Sequence, residues 1–252
     1  MHYASDNPLS GQTVLVTGAA RRIGAAICET LHAAGMNVAI HYRNSSIEAD
    51  QLAARLNADR DGSAKAFCAD LIEAGEPADL VREVTVWADS LDALVNNAST
   101  FYPTPLANVD EMAWNDLIGS NLKAPLFLAQ SAAPHLRKSG GSIVNIVDIH
   151  AKRPLRDHHV YGAAKAGLAM LTQSLARDLA PQVRVNGISP GAITWPENGV
   201  SDDVKQTILN QVPLGRSGHP IDIAGAVLFF IRDATYATGQ IVAIDGGRSI
   251  GW

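Results

Sequence analysis

The sequence predicts an α/β fold in which a doubly wound, seven-stranded parallel sheet carries helices on both faces. Short apolar runs rich in β-branched residues alternate with longer segments rich in Ala and Leu. The apolar runs are continuous rather than alternating with polar residues, as in strands that are buried on both faces. No Pro- or Ser-rich linker divides the 252 residues, so a single domain over residues 1–252 is expected.

Each predicted strand is an apolar run of four to seven residues that leads into a turn or a helix. The strands are expected at residues 13–17, 37–42, 64–70, 93–96, 142–147, 184–188 and 241–244. The helices between them are expected at residues 22–34, 47–57, 77–89, 112–138, 160–179 and 221–230. The first helix stops at Gly35, a residue typical of the position that follows a helix.

Two segments fall outside this succession. Residues 1–10 are expected to be a flexible tail, because termini are poorly ordered unless something holds them. Residues 194–212 interrupt the alternation of strands and helices. This second segment forms either a mobile substrate lid or a plain surface excursion.

Composition and charge exclude several classes of protein. With 47% hydrophobic and 18% charged residues, the chain is not intrinsically disordered. Asp and Glu outnumber Lys and Arg by 25 to 20, and the net charge of −5 argues against a nucleic-acid partner. No stretch approaches the roughly 20 apolar residues of a membrane span, and the N-terminus does not resemble a secretory signal. We therefore expect a cytoplasmic protein with no membrane partner.

The cysteines and histidines give no indication of a metal site. Cys28 and Cys68 are isolated and are expected in apolar surroundings, and two such residues make neither a zinc ribbon nor a disulfide framework. The eight histidines show no spacing typical of metal ligands. No metal is therefore predicted.

The turn after the first strand has the composition of a dinucleotide phosphate site. It reads Thr17-Gly18-Ala19-Ala20-Arg21-Arg22-Ile23-Gly24. Small residues let the backbone approach a pyrophosphate, and the following helix offers free N–H groups at its positive end. The strict GxGxxG spacing is absent, so an ordinary strand-to-helix turn is the alternative. Arg21, Arg22 and Arg43 are expected to form a cationic pocket aimed at the phosphates.

The end of the second strand favours NADP(H) over NAD(H). An acidic residue about 20 residues after the glycine turn usually bonds the ribose 2′-hydroxyl of NAD. Here the strand ends in His41-Tyr42-Arg43-Asn44-Ser45-Ser46, without a carboxylate. Arg, Asn and Ser suit a 2′-phosphate, which a carboxylate would repel. Asp70, after the third strand, either accepts a hydrogen bond from the adenine amino group or caps the segment that begins at Leu71.

Tyr161 and Lys165 are candidates for the catalytic chemistry. Their i, i+4 spacing places them on one face of a helix. A neighbouring ammonium lowers the pKa of a phenol, so Tyr161 is predicted to be a proton donor near neutral pH. A Tyr and a Lys at this spacing often occur together by chance, so the pair alone is weak evidence. The glycine turn and Asn96-Asn97-Ala98 at the end of the fourth strand occur in the same chain and make the prediction strong.

These motifs together resemble the short-chain dehydrogenase/reductase family, from Thr17-Gly18 through Pro190-Gly191 to residues 245–247. The resemblance implies a Rossmann-like domain that binds NAD(P) at the carboxyl ends of its strands. It further implies that Tyr161 is the proton donor, that Lys165 binds the nicotinamide ribose, and that Asn121 holds a proton-relay water. It also implies a homotetramer, with residues 239–252 at a subunit contact.

Two departures from the family pattern narrow the function. The family turn usually carries a glycine where this chain has Arg22, and the family's catalytic serine stands where this chain has Asp148. An ionised carboxylate cannot donate to a ketone oxygen and would repel the oxyanion that forms there. A carboxyl group suits protonation of a C=N nitrogen or an amino-amidine edge that donates two N–H bonds. An inactive homologue is the alternative.

Both departures are similar to the pteridine reductase subfamily, as are His41-Tyr42 and the segment of residues 96–106. This resemblance implies a pterin or folate substrate that stacks on Phe101, with Ser99 and Arg22 in contact with both cofactor and pterin. Asp148 and Tyr161 would supply protons and hold the 2-amino edge, and Trp195 would close over the substrate or only pack the lid. For Phe101, simple anchoring of its loop is the alternative.

The residue patterns and the resemblance define a full set of expected cofactor contacts. These are Gly18, Arg21, Arg22, Ile23, Gly24, His41, Tyr42, Arg43, Asn44, Ser45, Asp70, Leu71, Asn97, Ala98, Ser99, Tyr161, Lys165, Pro190 and Gly191. Two other functions stay open at this point. One is a reductase of ketones or dehydrogenase of secondary alcohols, and the other is a nucleotide-binding regulatory protein without turnover.

Overall fold

The structure is a computed structural model that describes residues 9–194 and 201–250. Its centre is one parallel sheet of seven strands in the order β3-β2-β1-β4-β5-β6-β7. The strands are β1 Thr13–Val16, β2 Asn37–Tyr42, β3 Ala64–Cys68, β4 Ala93–Asn96, β5 Ser142–Ile146, β6 Arg184–Pro190 and β7 Ile241–Ile244. The predicted seven-stranded parallel sheet is confirmed, with strand bounds that differ by at most two residues.

Eight α-helices connect or flank these strands within the described residues. They are α1 Arg22–Ala33, α2 Ser46–Asp59, α3 Glu76–Ala88, α4 Glu111–Ile118, α5 Ala124–Ser139, α6 His159–Leu179, α7 Asp202–Leu209 and α8 Pro220–Leu228. Alternate residues of a strand point to opposite faces of the sheet. Val14 and Val16 accordingly pack in one buried cluster with residues of α1 and α8, whereas Leu15 packs in another with residues of α3 and α5. Both faces are covered, as the continuous apolar runs predict.

The order of the strands creates a crevice above the centre of the sheet. Strands β1 to β3 are added toward one edge of the sheet, and strands β4 to β7 are added toward the other edge. The order of the strands therefore reverses between β1 and β4, which are paired neighbours. In open α/β sheets, ligands bind in the crevice at the carboxyl ends of the strands at such a point. The residues that follow β1, β2, β4 and β5 therefore meet at one edge.

The long helix predicted over residues 112–138 is two helices joined by a wider, π-type turn, Gly119–Lys123. Pro125 has no N–H to donate to the carbonyl of Asn121, so the regular hydrogen-bond ladder is interrupted there. Gly119 lets Ile72 approach, since a Cβ at this position would stand 2.6 Å from Ile72 Cγ2. Wide turns of this kind occur often at functional sites, and this one carries Asn121.

Three other expectations concern residues 1–10, residues 194–212 and the two cysteines. Of the tail predicted at residues 1–10, residues 1–8 lie outside the described residues, and Leu9 packs in the core. Of residues 194–212, residues 195–200 lie outside the described residues, and α7 follows with no buried side chain. Cys28 is buried as expected but Cys68 is exposed, because β3 is an edge strand. Within the described residues no helix is long and apolar enough to cross a membrane.

Candidate active site

The turn between β1 and α1 depends on two glycines. Gly18 has a left-handed φ of +60°, and a Cβ there would stand 2.8 Å from Ala98 Cα. A Cβ on Gly24 would stand 2.3 Å from the Gly18 carbonyl oxygen and 2.7 Å from Ala19 Cα. Both contacts are with backbone, which cannot move aside cheaply. The N-terminus of α1 carries no side-chain cap, so its N–H groups are positioned for an anion.

His41, at the end of β2, holds this turn in place. Its Nδ1 accepts a hydrogen bond from the Gly18 N–H at 3.1 Å, and its Nε2 lies 3.1 Å from the Ala69 carbonyl oxygen. A carbonyl can only accept, so Nε2 carries the proton and the ring is neutral. Burial lowers the pKa of His41 to about 4. His41 thus reaches the cofactor crevice as a positioning residue, with both ring nitrogens occupied by the protein.

Thr17 and Asn97 fasten the same turn to β4. Thr17 Oγ1 accepts from the N–H groups of Asn97 and Ala98, each at 3.0 Å. The Asn97 side-chain amide donates to the carbonyl oxygens of Thr17 and Gly18 at 2.9 and 3.0 Å. The carbonyl oxygens of Thr17 and Gly18 and the N–H groups of Asn97 and Ala98 are therefore satisfied inside the protein. Asn97 and Ala98 lie where the sequence predicted them, beside the glycine turn.

Two of the three arginines of the expected cationic pocket lie near carboxylates. Arg43 Nη1 lies 3.8 Å from Asp70 Oδ1 and 3.7 Å from Asp116 Oδ1, and Arg21 Nη1 lies 3.5 Å from Glu48. These carboxylates come from other elements, so their proximity is a product of packing that residue order does not reveal. The pairs are solvent-exposed and each contributes about 1 kcal/mol at most. A phosphate dianion can compete with them.

The other expected cofactor residues line or flank the same crevice. Asp70 Oδ1 accepts from the Ile72 N–H at 3.3 Å in a tight turn, and no α-helix begins there. A pocket at the ends of β1, β2 and β3 is lined by Gly18, His41, Arg43, Ala69, Asp70, Leu71, Ile72, Ala98, Ser99, Thr100 and Ser120. Ile23 is in the first turn of α1, Tyr42 is the last residue of β2, and Asn44 and Ser45 lie between β2 and α2.

Pro190 and Gly191 lie at the end of β6. Pro190 is the last residue of that strand, and the Gly191 N–H donates to the Ile244 carbonyl oxygen at 3.1 Å. A Cβ on Gly191 would stand 2.6 Å from Asp245 Cβ, so this position needs a residue without a side chain. The two residues form part of the crevice wall on the side of β7.

Asn121 is fully buried in the wide turn between α4 and α5. Its Nδ2 donates to the carbonyl oxygens of Thr100 and Leu117 at 3.0 and 2.9 Å. Its Oδ1 accepts from Ser99 Oγ at 2.7 Å. The side chain therefore joins the wide turn to the loop after β4 and fixes the position of Ser99.

Asp148 and Tyr161 form a direct hydrogen bond. The Tyr161 hydroxyl donates to Asp148 Oδ2 at 2.7 Å, and the His150 N–H donates to Asp148 Oδ1 at 2.8 Å. Asp148 follows β5 and Tyr161 lies in the first turn of α6. The carboxylate therefore stands where the substrate's reacting atoms would approach Tyr161, and it acts there as an acceptor.

Lys165 lies one turn beyond Tyr161 on α6, as its spacing predicts. Its Nζ donates to the Ile146 carbonyl oxygen at 2.9 Å and stands 5.7 Å from the centre of the Tyr161 ring. Burial lowers the pKa of Lys165 to about 8, while Asp148 acts to raise it. The predicted lowering of the Tyr161 pKa is not found. Burial raises the pKa of Tyr161 and the Asp148 carboxylate raises it further, because both disfavour the phenolate.

Phe101 belongs to an aromatic group beside the catalytic pair. Its ring stacks on His158 with a centroid separation of 4.7 Å and meets the Tyr161 ring edge-on at 4.8 Å. The side chain is 52% exposed, so one face of the ring is accessible. His158 is a contact that sequence reasoning missed. Its position one helical turn before Tyr161 is the signal that would have found it.

Arg22 lies between the cofactor turn and the opening of the site. It has a left-handed φ of +54°, which explains why glycine is usual at this position in the family. Its Nη2 donates to Thr194 Oγ1 at 2.9 Å, and Thr194 is itself left-handed at +52°. Trp195 follows directly and lies outside the described residues.

Arg248, after β7, is a second residue that sequence reasoning missed. It is partly buried, and burial lowers its pKa while the Asp148 and Asp245 carboxylates act to raise it. The Arg248 guanidinium is therefore close enough to Asp148 and Asp245 to feel the charge of both carboxylates. Among the residues that the structure describes, no group of three or more His, Cys, Asp or Glu side chains could hold a metal ion.

Comparison with known proteins places this arrangement among oxidoreductases. A family model described as enoyl-(acyl carrier protein) reductase matches residues 18–249. The chain is 37% identical over 277 residues to pteridine reductase 1 of Leishmania tarentolae, covering 94% of this chain and 96% of that protein. It is 36% identical over 240 residues to 3-oxoacyl-[acyl-carrier-protein] reductase FabG of Staphylococcus aureus strain Mu50, covering 94% and 97%.

A solved structure shares the whole architecture. A blue fluorescent protein from a metagenomic library, in complex with NADPH, superposes with a TM-score of 0.90. It is 33% identical in sequence, and the match covers 95% of this chain and 98% of that one.

Proposed function

The chain belongs to the short-chain dehydrogenase/reductase family of oxidoreductases, and we propose that it is an NADPH-dependent pteridine reductase. In this proposal it reduces a C=N bond of a dihydropterin or dihydrofolate to the tetrahydro form. The relatives include reductases of pterins and of 3-oxoacyl thioesters at similar identity, so the choice depends on the site itself. The observation that supports the pterin is the Asp148–Tyr161 pair.

A carboxylate beside Tyr161 is unsuited to ketone reduction. The oxygen of a ketone gains negative charge as hydride arrives, and it requires donors nearby. Asp148 accepts two hydrogen bonds in the structure and donates none. A pterin instead presents N–H groups along its 2-amino edge, which a carboxylate can accept. The exposed face of Phe101 beside Tyr161 supports stacking of a flat heterocycle.

The residues present fit a dinucleotide cofactor. The Gly18–Gly24 turn leaves a cradle that a Cβ would fill, and the uncapped N-terminus of α1 suits a pyrophosphate. Arg43, Asn44 and Ser45 follow β2 without an acidic neighbour in sequence, which supports a 2′-phosphate. When bound, NADPH supplies the hydride that the carbon of the C=N bond accepts.

The chain's own residues supply and guide the proton. Tyr161 donates its hydroxyl proton to the ring nitrogen, and solvent returns a proton to the phenolate before the next turnover. Asp148, 2.7 Å away, holds that hydroxyl in place. Lys165 positions the nicotinamide ribose, and Asn121 fixes Ser99 next to the substrate. Arg22 spans the cofactor turn and the pterin. Trp195 stays a predicted substrate contact.

We also propose that the protein is a single-domain homotetramer. Apolar side chains are unusually exposed on α4 and α5, where Trp114 is 50% exposed and Phe127 is 42% exposed. Exposed apolar patches on neighbouring helices are typical of subunit contacts. Residues 239–252 are a second candidate, since Val242 of β7 is 43% exposed.

Asp148→Ser tests the proposed function. This change restores the family's usual residue, so we expect kcat for dihydrobiopterin to fall about 10²-fold or more, as for loss of a proton-transfer group. The affinity for NADPH, measured by fluorescence titration, should stay within a factor of two. A 3-oxoacyl thioester should become a better substrate for the variant than for the wild type.

Three outcomes would contradict the proposal. Pterin turnover that survives Asp148→Ser would remove Asp148 from the mechanism. Faster turnover of the 3-oxoacyl thioester than of any pterin by the wild type would favour a ketone reductase. Stoichiometric NADPH binding without oxidation in the presence of every pterin would indicate a non-catalytic binding protein.

A further inference from the structure

The loop between β5 and α6 is strongly basic in a chain whose net charge is −5. We define residues 150–159 as the basic rim. They include Lys152, Arg153 and Arg156, with Asp157 as the one carboxylate in this stretch of sequence. All three cations are exposed. Arg156 lies 3.7 Å from Asp157 but is 93% exposed, so solvent screens that pair and its charge is still available.

The basic rim begins and ends at the catalytic pair. Asp148 precedes it by two residues and binds its first backbone N–H, and Tyr161 follows it by two residues. His158, in the rim, stacks on Phe101, and Phe101 contacts Tyr161. A ligand that packs on the exposed part of Phe101 therefore lies close to the rim.

Two histidines of the rim, His150 and His158, each bind a backbone carbonyl of the rim through Nδ1. His158 Nδ1 lies 2.7 Å from the Arg156 carbonyl oxygen, and His150 Nδ1 lies 2.9 Å from the Arg153 carbonyl oxygen. A carbonyl only accepts, so each Nδ1 carries the proton. Each Nε2 lies on the side of the ring that faces away from that carbonyl.

The opposite wall of the opening is uncharged. Residues 101–109 contain no Asp, Glu, Lys, Arg or His, and they expose Phe101 and Leu106, the latter by 78%. The Thr104 N–H donates to the Asp157 carbonyl oxygen at 2.5 Å, which joins this wall to the rim. The opening thus combines a flat apolar wall with a cationic edge.

We propose that the basic rim binds the carboxylates of a substrate tail, so that the preferred substrate is a folate-type dihydropterin ending in a glutamate. Such a tail has an aromatic segment for the apolar wall, followed by carboxylates for the cations. A pterin with a short hydroxyalkyl side chain is neutral and gains nothing from Lys152 or Arg156. This inference depends on the proposed reduction of a pterin.

The test compares 7,8-dihydrofolate with neutral 7,8-dihydrobiopterin in the wild type and in Lys152→Gln/Arg156→Gln. We expect the ratio of kcat/KM for dihydrofolate to that for dihydrobiopterin to fall about tenfold in the variant, mainly through KM, since exposed ion pairs contribute a few-fold each. His158→Phe keeps the ring stack and leaves the charges of Lys152 and Arg156 in place, so the ratio should stay within a factor of two of the wild type. High salt, near 1 M, should lower the wild-type ratio toward that of the double variant.

Arg137→Gln/Lys138→Gln is the matched control. It removes two adjacent exposed cations from the end of α5, next to the amino end of β5 and away from the opening. The ratio should not change in this variant. An equal fall in both double variants would indicate a general charge effect and would overturn the assignment of the rim.

The remaining outcomes separate this inference from the proposed function. If the wild type reduces dihydrobiopterin and the ratio is insensitive to the rim variant and to salt, the inference fails and the proposed function stands. If no pterin is reduced at all, both fail. If the rim variant instead loses activity only toward a 3-oxoacyl group on an acidic carrier protein, the rim binds that protein and our assignment is wrong.

Discussion

The cofactor side and the catalytic side of the crevice are stabilised in different ways. On the cofactor side, side chains form hydrogen bonds with backbone groups of the glycine turn or of the residues after β4. These side chains are His41, Asn97 and Thr17. On the catalytic side, side chains contact other side chains, as in the Asp148–Tyr161 hydrogen bond and the Phe101–His158 stack. The first side fixes the path of the backbone at the glycine turn, and on the second side the groups around Asp148, Tyr161 and Phe101 are fixed mainly by contacts between side chains.

This difference explains how one scaffold serves different substrates. A substitution at Asp148 changes an acceptor without altering any strand, because its neighbours are a side-chain hydroxyl and one loop N–H. A substitution at Gly24 changes the backbone itself. Chemistry can therefore vary on the catalytic side while the cofactor turn stays constant, as expected when function lies in sites carried by a common fold.

Gly24→Ala is the sharpest test of this contrast and has the largest expected effect. The new Cβ would stand 2.3 Å from the Gly18 carbonyl oxygen, so the turn must shift. We expect the free energy of unfolding to fall by about 1–3 kcal/mol, as for overpacked sites. The displaced turn should lower kcat/KM for NADPH by about 10²-fold. Thermal unfolding and steady-state kinetics measure the two effects.

Gly225→Ala is its matched control. Gly225 lies in α8, and a Cβ there meets nothing within 4 Å. Alanine is the better helix former, so this variant should be more stable by about 0.5–1 kcal/mol. Similar stability of the two variants would show that the cofactor turn is not held rigidly, and the contrast between the two sides would fail.

The sheet could be predicted because each strand is defined by its own residues. Continuous apolar runs such as β1 and β4 indicate burial without knowledge of any partner. The glycine turn and the Tyr161–Lys165 spacing are likewise local patterns. All of these features could be predicted from residues that lie close together in the sequence.

Features that depend on distant residues were not predictable. Arg43 was expected in a cationic pocket, and the sequence gives no sign that Asp116, which lies on α4, is 3.7 Å from it in the folded chain. The direction of the Tyr161 pKa shift was mispredicted because burial and the Asp148 carboxylate both raise that pKa. Wide turns such as Gly119–Lys123 arise from packing together with Pro125, so a helical pattern alone does not reveal them.

Asp148→Asn tests the electrostatics of the catalytic side. The pKa of Lys165 is lowered to about 8, so its ammonium is present below that pH and is lost as the pH rises through it. We expect kcat/KM for NADPH, which reports the free enzyme, to fall by up to tenfold per pH unit above about 8. Asp148 raises the pKa of Lys165, so in Asp148→Asn the fall should begin at a lower pH.

Asp157→Asn provides the control for this pH profile. It removes a carboxylate from the same loop at a left-handed position, φ +58°, which Asn tolerates. Its alkaline limb should coincide with that of the wild type. An identical limb in Asp148→Asn would mean that Asp148 does not act on Lys165, and the catalytic side would then be less coupled than the structure indicates.

Arg22→Gly tests the junction of the two sides and has the smallest expected effect on stability. A non-glycine residue at φ +54° costs about 1 kcal/mol, which glycine relieves. Glycine also loses more entropy on folding, so the net gain should be a few tenths of a kcal/mol. Pterin KM should rise, because the arginine that contacts Thr194 and faces the predicted pterin site is gone.

Arg22→Ala separates the backbone from the side chain. It removes the same guanidinium but keeps a Cβ in the left-handed region, so KM should rise equally while stability does not increase. If Arg22→Ala and Arg22→Gly have the same melting temperature, the left-handed backbone costs no more than the extra entropy that glycine loses on folding. If Arg22→Gly alone is more stable, the cofactor turn tolerates strain at one position in order to place a substrate-facing cation at the boundary of the two sides.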